Sequence, residues 1–327
     1  MISRSAEHCF WLCRHLERIN HIARFMSVNS SYILDTNLDI RDQWFPFIIV
    51  LGEEKRFLKV HGDLNSVNNE LIQNYITWDK NNPVSIIHTV RSARENARII
   101  RDIISSDLWE AINTLWLWLI SNRSYNLYVK DQMAFYRIIL SNISTIYGIL
   151  YSSMSEDEAY HFMKLGMMLE RANQTARIVD VKSHRISFYE ISRRENVIET
   201  LYWLNLLKIF SAHEAFLKKS TTFNRKLVAQ FLIFENNYPH TIAYCLDNAC
   251  ESLQKLKEIT CVTNELNNVE VLLNQISESN IETILKQGLN TFLTSVINGI
   301  ARICEDIESK FFDPELLFIT QSKGHRL

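Results

Sequence analysis

Residues 16–24 read LERINHIAR and residues 169–177 read LERANQTAR, and this repeated stretch decides the fold. Residues three, four or seven positions apart share one face of a helix, so Glu17, Asn20 and Arg24 form a polar stripe. The second copy carries the same three residue types at the same spacing. The other positions are apolar on most sides, which is typical of a buried helix. We therefore expect two buried helices, each with a charged stripe that faces protein rather than water.

The repeat extends beyond this stretch. Residues 6–30 and 159–183 are identical at eleven positions with a shift of 153. Two later blocks, within residues 44–59 and 78–86, recur in the same order with shifts of 159 and 156. Three blocks in one order indicate an internal duplication. We predict an all-α, internally duplicated helical bundle whose two halves pack in a pseudo-two-fold arrangement. The expected parts are a first helical repeat (1–153), a second repeat packed on the first (154–312) and a loose C-terminal tail (313–327).

Composition supports the helical class and limits the function. The chain has 7 Gly, 4 Pro and 47% apolar residues, so turns are few and the elements long. The formal charge is −2 and no Lys or Arg run stands out, so we expect no nucleic-acid or membrane partner. The charged N-terminal residues lack the apolar core of a signal peptide. We therefore expect a cytoplasmic protein with reduced, buried cysteines.

Capping patterns predict where several helices begin. Ser66 is expected to cap one helix, and Asn82 with Pro83 to open another that reaches Ile104. One long helix is expected over residues 125–151. Ser155 heads a capping box that opens the second repeat.

A ridge of arginines occurs in the first half alone. Arg91, Arg94, Arg98 and Arg101 are spaced three, four and three residues apart, with Glu95 among them. The positions 156 residues later hold no arginine. A duplicated protein can keep a site in one copy and a scaffold in the other, so the ridge is a candidate anion site.

Several stretches resemble a known family. They are residues 11–18 (WLCRHLER), residues 92–98 (SARENAR) followed by Trp109-Glu110 and Asn113, and residues 162–171 (FMKLGMMLER). Together they resemble the Alpha-E family, bacterial all-helical proteins named for a recurrent Glu-Arg motif, over nearly the whole chain. One departure is that Arg14 has Met167 as its equivalent, so whatever Arg14 does is done from one half.

The resemblance implies a family without a settled activity, so whether this chain is an enzyme stays open. The family's genes tend to neighbour, or be fused with, a circularly permuted ATP-grasp ligase, with transglutaminase-like or amidohydrolase-like proteins nearby. This context implies an ATP-grasp ligase as partner, and peptide ligation or other amide-bond chemistry on a peptide or amino-acid substrate. No Gly-rich phosphate loop is present, so ATP and Mg are expected on the ligase and no cofactor on this chain.

Two interpretations of the charged groups compete. In the structural one, Glu17 and Glu170 accept bidentate hydrogen bonds from Arg24, Arg94, Arg98 or Arg177 and fix the helix register. In the functional one, surplus arginine binds a carboxylate or phosphate group at a buried Arg-Glu centre. The candidate ligand-binding residues are Arg14, Arg18, Asn20, Arg24, Arg94, Arg98, Arg101, Arg171, Asn173 and Arg177. If the chain is catalytic, the candidate acids and bases are Glu17, Glu170, Glu95 and Glu110.

Three functions follow from these interpretations. The first is a helical accessory or co-catalytic partner of the ligase. The second is a stand-alone carboxylate-dependent hydrolase or transferase, and the third is a purely structural scaffold protein.

Two other features of the sequence are a possible metal-binding pair and a set of aromatic residues. Glu158 and His161 have the spacing of di-iron bundles, but the equivalent of Glu158 is Ser5, so we expect no metal site. The aromatic set of Trp116, Trp118, Tyr125 and Tyr128 is expected in the core, and any exposed part of it would be a docking patch for the ligase.

Overall fold

The computed structural model describes residues 3–35, 44–62, 67–188, 195–259 and 264–312. In these ranges the regular secondary structure is helical, with sixteen α-helices and one π-helix at Glu308–Phe312. The prediction of an all-α protein is therefore confirmed. The predicted loose tail, residues 313–327, lies outside the described residues.

The α-helices follow one another along the chain as α1 (Ser3–Asp35), α2 (Phe45–Val50), α3 (Glu54–His61), α4 (Asn69–Thr77), α5 (Ile86–Ile99), α6 (Ser106–Leu119), α7 (Asn122–Lys130), α8 (Gln132–Ser153), α9 (Glu158–Phe188), α10 (Glu195–Ile209), α11 (His213–Leu217), α12 (Arg225–Phe234), α13 (Ile242–Ile259), α14 (Asn264–Ser277), α15 (Ile281–Gln287) and α16 (Leu289–Ile307).

The two longest helices, α1 and α9, pack against each other at the centre of the molecule. Helices α5 and α8 pack on α1, and α13 and α16 pack on α9. The short helices cross over, because α2 packs on α9 and α10 packs on α1. The repeated stretch of each long helix is buried, as the apolar pattern predicts: Leu16, Ile19, Leu169 and Ala172 are all fully inaccessible.

A glycine allows the two long helices to approach closely. A Cβ atom at Gly166 of α9 would lie 2.3 Å from the backbone carbonyl oxygen of Phe10 in α1. Real Cβ atoms do not approach an oxygen that closely, so this crossing depends on the missing side chain.

Two helices begin at different residues from those predicted. Asn68 caps α4 by accepting a hydrogen bond from Leu71 N, while Ser66 lies outside the described residues. Ser85 caps α5, and α5 ends at Ile99. Asn82 is instead a loop residue, because its side chain accepts from Val84 N and donates to the Tyr75 carbonyl. The prediction of a helix from residue 82 to 104 was therefore wrong at both ends.

The helix predicted over residues 125–151 is two helices. Asp131 has extended backbone angles (φ −152°, ψ 90°) and ends α7, and its side chain caps α8 by accepting from Ala134 N. Similarly, Asp157 rather than Ser155 accepts the capping hydrogen bond at the start of α9, from Tyr160 N. In both places an aspartate satisfies the backbone N–H groups that a helix start leaves free.

Helix α8 is the one helix in the described residues long and apolar enough to cross a membrane. This is weak support for a membrane span, because the core helix of a soluble protein passes the same test. Here α8 packs against α1, α6 and α7. The cysteines that the structure describes are buried and form no disulfide, and Cys261 lies outside the described residues.

Candidate functional site

Glu17 of α1 is fully buried and receives hydrogen bonds from both halves of the chain. Arg171 of α9 donates to both carboxylate oxygens, from Nε at 2.9 Å and from Nη2 at 2.8 Å. The Tyr147 hydroxyl of α8 donates at 2.6 Å. His21, one turn along α1, brings its Nε2 atom to 3.1 Å from Oε1. Each carboxylate oxygen of Glu17 therefore has two polar neighbours.

Glu170 of α9 has a matching environment. Arg18 of α1 donates from Nε at 2.8 Å and from Nη2 at 3.1 Å. Arg14 donates from Nε at 3.0 Å, and Gln174, one turn along α9, donates at 2.9 Å. Each long helix thus supplies a glutamate that an arginine of the other long helix holds in a two-bonded pair. We call Glu17, Glu170, Arg14, Arg18 and Arg171 the Arg-Glu centre.

The centre keeps its charges despite burial. Burial opposes ionisation of Glu17, but Arg171 and His21 hold the pKa of its carboxyl well below the usual range. Burial acts in the same direction on Glu170, where Arg18 and Arg14 lower the pKa. Both glutamates are therefore carboxylates whose lone pairs are occupied. Neither is placed to take a proton from a substrate.

The predicted arginine partners of the two glutamates were wrong, because Arg14, Arg18 and Arg171 take the places expected for Arg24, Arg94, Arg98 and Arg177. Arg94 donates from Nε to Asn113 at 2.8 Å and from Nη1 to Glu95 at 2.8 Å, and Arg98 donates to Glu95 at 2.9 Å. The reason is which face of α5 is buried. This helix buries the face that carries its alanines, so the arginines face the surface. The arginine ridge therefore lies at the surface, outside the Arg-Glu centre.

The Trp109 side chain packs against this surface ridge. The guanidiniums of Arg94 and Arg101 lie over the ring of Trp109, at 5.6 and 5.5 Å from its centre. Hydrogen bonding to Arg98 lowers the pKa of Glu95, which is partly exposed. Glu110 is exposed on α6. The four candidate catalytic glutamates are thus not brought together.

Two further arginines of the repeated stripe are half-buried and have no carboxylate partner in the described residues. Arg24 donates from Nη1 to Ser211 Oγ at 2.5 Å, and Arg177 donates from Nε to Asn173 Oδ1 at 3.2 Å. Burial lowers the pKa of both guanidiniums. Asn20 is also buried on the same stripe of α1. The stripe therefore holds positive charge beyond what its glutamates neutralise.

One set of side chains could hold a metal ion by distance alone. The ligand atoms of Glu17, His21 and His240 all lie within 4.8 Å of one another. The sequence gives no signal for this set, because His240 lies more than 200 residues from the other two. Whether this set suits a cation depends on the charges of the surrounding side chains.

Sequence reasoning also missed the roles of Tyr147, Gln174 and His21 as neighbours of the glutamates. The repeat itself carried part of the signal, since Gln174 occupies the position equivalent to His21. Tyr147 offered none, because a tyrosine on an apolar helix is more often an ordinary core residue.

A half-buried histidine beside the centre makes stability depend on pH. Burial, and then the Arg18 charge, lower the pKa of His15 to about 3. The unfolded chain takes up this proton near its ordinary pKa of 6.5, so the free energy of unfolding should fall as pH drops from about 7 towards 3. We expect urea unfolding of His15→Gln to show a smaller loss of stability between pH 7 and pH 4. An unchanged loss would contradict the assignment.

Comparison with known proteins supports the helical reading. A family model described as a predicted alpha-helical domain with a conserved ER motif matches residues 1–312. The Glu-Arg pairs at residues 17–18 and 170–171 are the pairs that form the Arg-Glu centre. No curated protein and no solved structure gives a match.

Proposed function

Since the chain belongs to the Alpha-E family, we propose that it is a helical accessory or co-catalytic partner of an ATP-grasp-type peptide or amide ligase. In this role it binds an anionic group, a carboxylate or phosphate, beside the Arg-Glu centre. The observation that carries the proposal is the state of the charged groups. Both buried glutamates are saturated with donors, whereas Arg24 is a half-buried cation that no described carboxylate pairs with.

The same observation ranks the alternatives. A stand-alone carboxylate-dependent hydrolase or transferase needs a carboxyl group free to accept or donate a proton, and the buried pair offers none. A purely structural scaffold agrees with the saturated Arg-Glu centre, yet it gives no reason to hold Arg24 in a half-buried position without a counterion. Ligand binding by a non-enzymatic partner accounts for both features.

We further propose that the chain arose by internal duplication, with repeats at residues 1–153 and 154–312 related by a pseudo-two-fold axis. Two features support this. The pairs Glu17–Arg171 and Glu170–Arg18 are reciprocal, and the long helices have corresponding neighbours. The third donor differs between the two sites, since Tyr147 serves Glu17 and Arg14 serves Glu170.

We place this role in the cytoplasm, because the composition and weak net charge suit neither nucleic acid nor a membrane surface. ATP and Mg would be bound by the ligase, and the chain itself would need no cofactor. The ligand would be a peptide or amino-acid substrate, or a phosphorylated form of one.

An apolar face on α6 and α7 is the proposed docking site for the ligase. Its exposed members are Leu117 (53%), Ile120 (52%), Tyr125 (56%) and Val129 (69%). Trp116 and Trp118 are partly buried beside it, and Tyr128 belongs to the core. Large apolar side chains clustered at a surface are typical of a protein interface.

A binding experiment with a matched control tests the partnership. The purified chain is titrated into an ATP-grasp-type ligase, and binding and ligase-dependent ADP release are measured. Val129→Asp should weaken binding at least about tenfold, because it places a charge in the interface. Val271→Asp is the control, since Val271 is similarly exposed (65%) on α14. A chain that binds no ligase and turns over an amide substrate alone would refute the proposal.

A further inference from the structure

Several buried side-chain nitrogen atoms on and beside the repeated stretch lack hydrogen-bond partners in the described part of the chain, and three of them belong to side chains that lie close together. They are Arg24 Nε, His21 Nδ1 and His240 Nδ1. A buried polar atom without a partner costs free energy, and almost all such atoms in folded proteins are paired with protein, water or a ligand. Three of them together therefore need an explanation.

The three side chains lie in one place. His21 and Arg24 are three residues apart on α1 and share a face of the helix. The ring centres of His21 and His240 are 5.8 Å apart. Arg24 Nη1 donates to Ser211, and the His21 ring packs edge-on against Phe210. The three side chains thus come from α1 and from the segment that precedes α13, and they lie beside the turn that follows α10.

A second aromatic residue, Tyr238, holds the segment that carries His240 in place. The Tyr238 hydroxyl donates to the carbonyl of Phe210 at 2.9 Å, which ties the segment before α13 to the turn after α10. The Tyr238 and His240 rings are 6.1 Å apart. His240 is therefore held at the site by neighbours on both sides, and its position does not depend on a ligand.

The charges around the site favour an anion over a metal ion. Arg171 and Arg24 carry two positive charges here, and Glu17 carries one negative charge. Both Glu17 oxygens already accept hydrogen bonds, from Arg171 and Tyr147. A divalent cation would face two guanidiniums. It would also leave Arg24 Nε unpaired, because a guanidinium N–H can only donate.

We propose that Arg24, His21 and His240 bind a phosphate-type oxyanion, either inorganic phosphate or a phosphomonoester. An oxyanion gives an acceptor to each of the three nitrogens, and a tetrahedral one suits donors that come from separate directions. This inference deepens the proposed function and rests on it, because it names the class of anionic group that the protein would present to the ligase.

Binding should be coupled to proton uptake. Burial, followed by the charges of Arg171, His21 and Arg24, holds the pKa of His240 well below its usual value, and Glu17 acts in the opposite direction. His240 is therefore neutral at pH 7 in the free protein. A phosphate dianion at the site favours the imidazolium, so affinity should rise as pH falls, by up to about tenfold per pH unit, until phosphate itself takes up a proton at about pH 6–7.

The test uses the full-length protein and inorganic phosphate. Binding is measured by calorimetry at pH 6, 7 and 8, and the histidine ring signals are followed by NMR in the wild-type protein. We expect phosphate to shift the His21 and His240 signals and to bind more tightly at pH 7 than at pH 8, with little further gain at pH 6, where phosphate itself is protonated. Arg24→Gln and His240→Asn should each weaken binding at least about tenfold. Lys226→Gln, which removes a positive charge from a partly exposed surface ion pair with Glu282, should not.

The outcomes separate the alternatives. The wild-type NMR titration needs no variant, so a variant that fails to fold does not spoil the test. Phosphate that leaves both ring signals unmoved overturns the inference, and so does Zn²⁺ alone shifting them where phosphate does not. If the ligase still binds through the α6–α7 face in that case, the proposed partnership survives and only the oxyanion site fails.

Discussion

Arg171→Met is expected to lower the free energy of unfolding by about 3–5 kcal/mol, as removal of one partner from a buried ion pair typically does. Arg171 holds both oxygens of Glu17 and also donates to the Pro239 carbonyl at 3.2 Å. Without it, Glu17 keeps a buried negative charge with only Tyr147 and His21 as neighbours. The measurement is urea unfolding at pH 7, followed by circular dichroism.

An exposed ion pair provides the control for this variant. Lys226 and Glu282 are 2.8 Å apart, but both side chains are about half exposed or more (46% and 63%). Water solvates such charges when they separate, so Lys226→Met should leave the unfolding curve almost unchanged. Equal effects of the two variants would mean that Arg171 contributes no more than a surface cation.

Gly166→Ala is expected to destabilise the protein by about 3 kcal/mol, the upper end of the usual cost of overpacking a core. The added methyl group would lie 2.3 Å from the Phe10 carbonyl oxygen. A backbone atom cannot move away by changing rotamer, so α1 and α9 must separate where they cross. Thermal unfolding of the variant would measure the loss.

Gly148→Ala is the matched control, because it makes the same substitution in another helix. No atom lies within 4 Å of the Cβ position at Gly148, which is exposed on α8. Alanine favours a helix over glycine by about 0.5–1 kcal/mol, so this variant should be slightly more stable than the wild type. A stable Gly166→Ala variant would show that the long helices are not in backbone contact.

The helical class and the burial of the two long helices could be predicted because they depend on periodicity. Residues 16–24 are apolar on most sides of the helix, so this segment is expected to be buried whichever elements pack against it. Helix ends were less predictable, since they depend on which of several polar residues competes best. At residues 82–85, Asn82 turns to the Tyr75 carbonyl, and Ser85 is left to cap the helix.

The charged site was predictable in its members but not in its pairing. Glu17, Glu170, Arg18 and Arg171 follow from the repeated motif, and the structure does bring them together. Which arginine meets which glutamate depends on how α1 and α9 are offset along their axes. The close approach of the two helices also depends on Gly166, a contact that no local pattern reveals.

The arginine ridge was misplaced for a similar reason. Its spacing shows that Arg94, Arg98 and Arg101 share a face of α5, but periodicity alone does not say whether a charged face points inwards. In the structure this face is at the surface with Glu95, and the pairing predicted for Arg94 and Arg98 is replaced by Arg14 and Arg18. A charged side chain is fully buried where another segment of the chain places an opposite charge beside it.

A double-mutant cycle between Glu17 and Arg171 tests most directly the claim that reciprocal buried ion pairs hold α1 and α9 together. The free energies of unfolding of the wild type, Glu17→Gln, Arg171→Met and the double variant would be compared. We expect a coupling energy of about 2 kcal/mol or more, because each side chain loses its main partner when the other is removed. Effects that add to within about 0.5 kcal/mol would contradict the account.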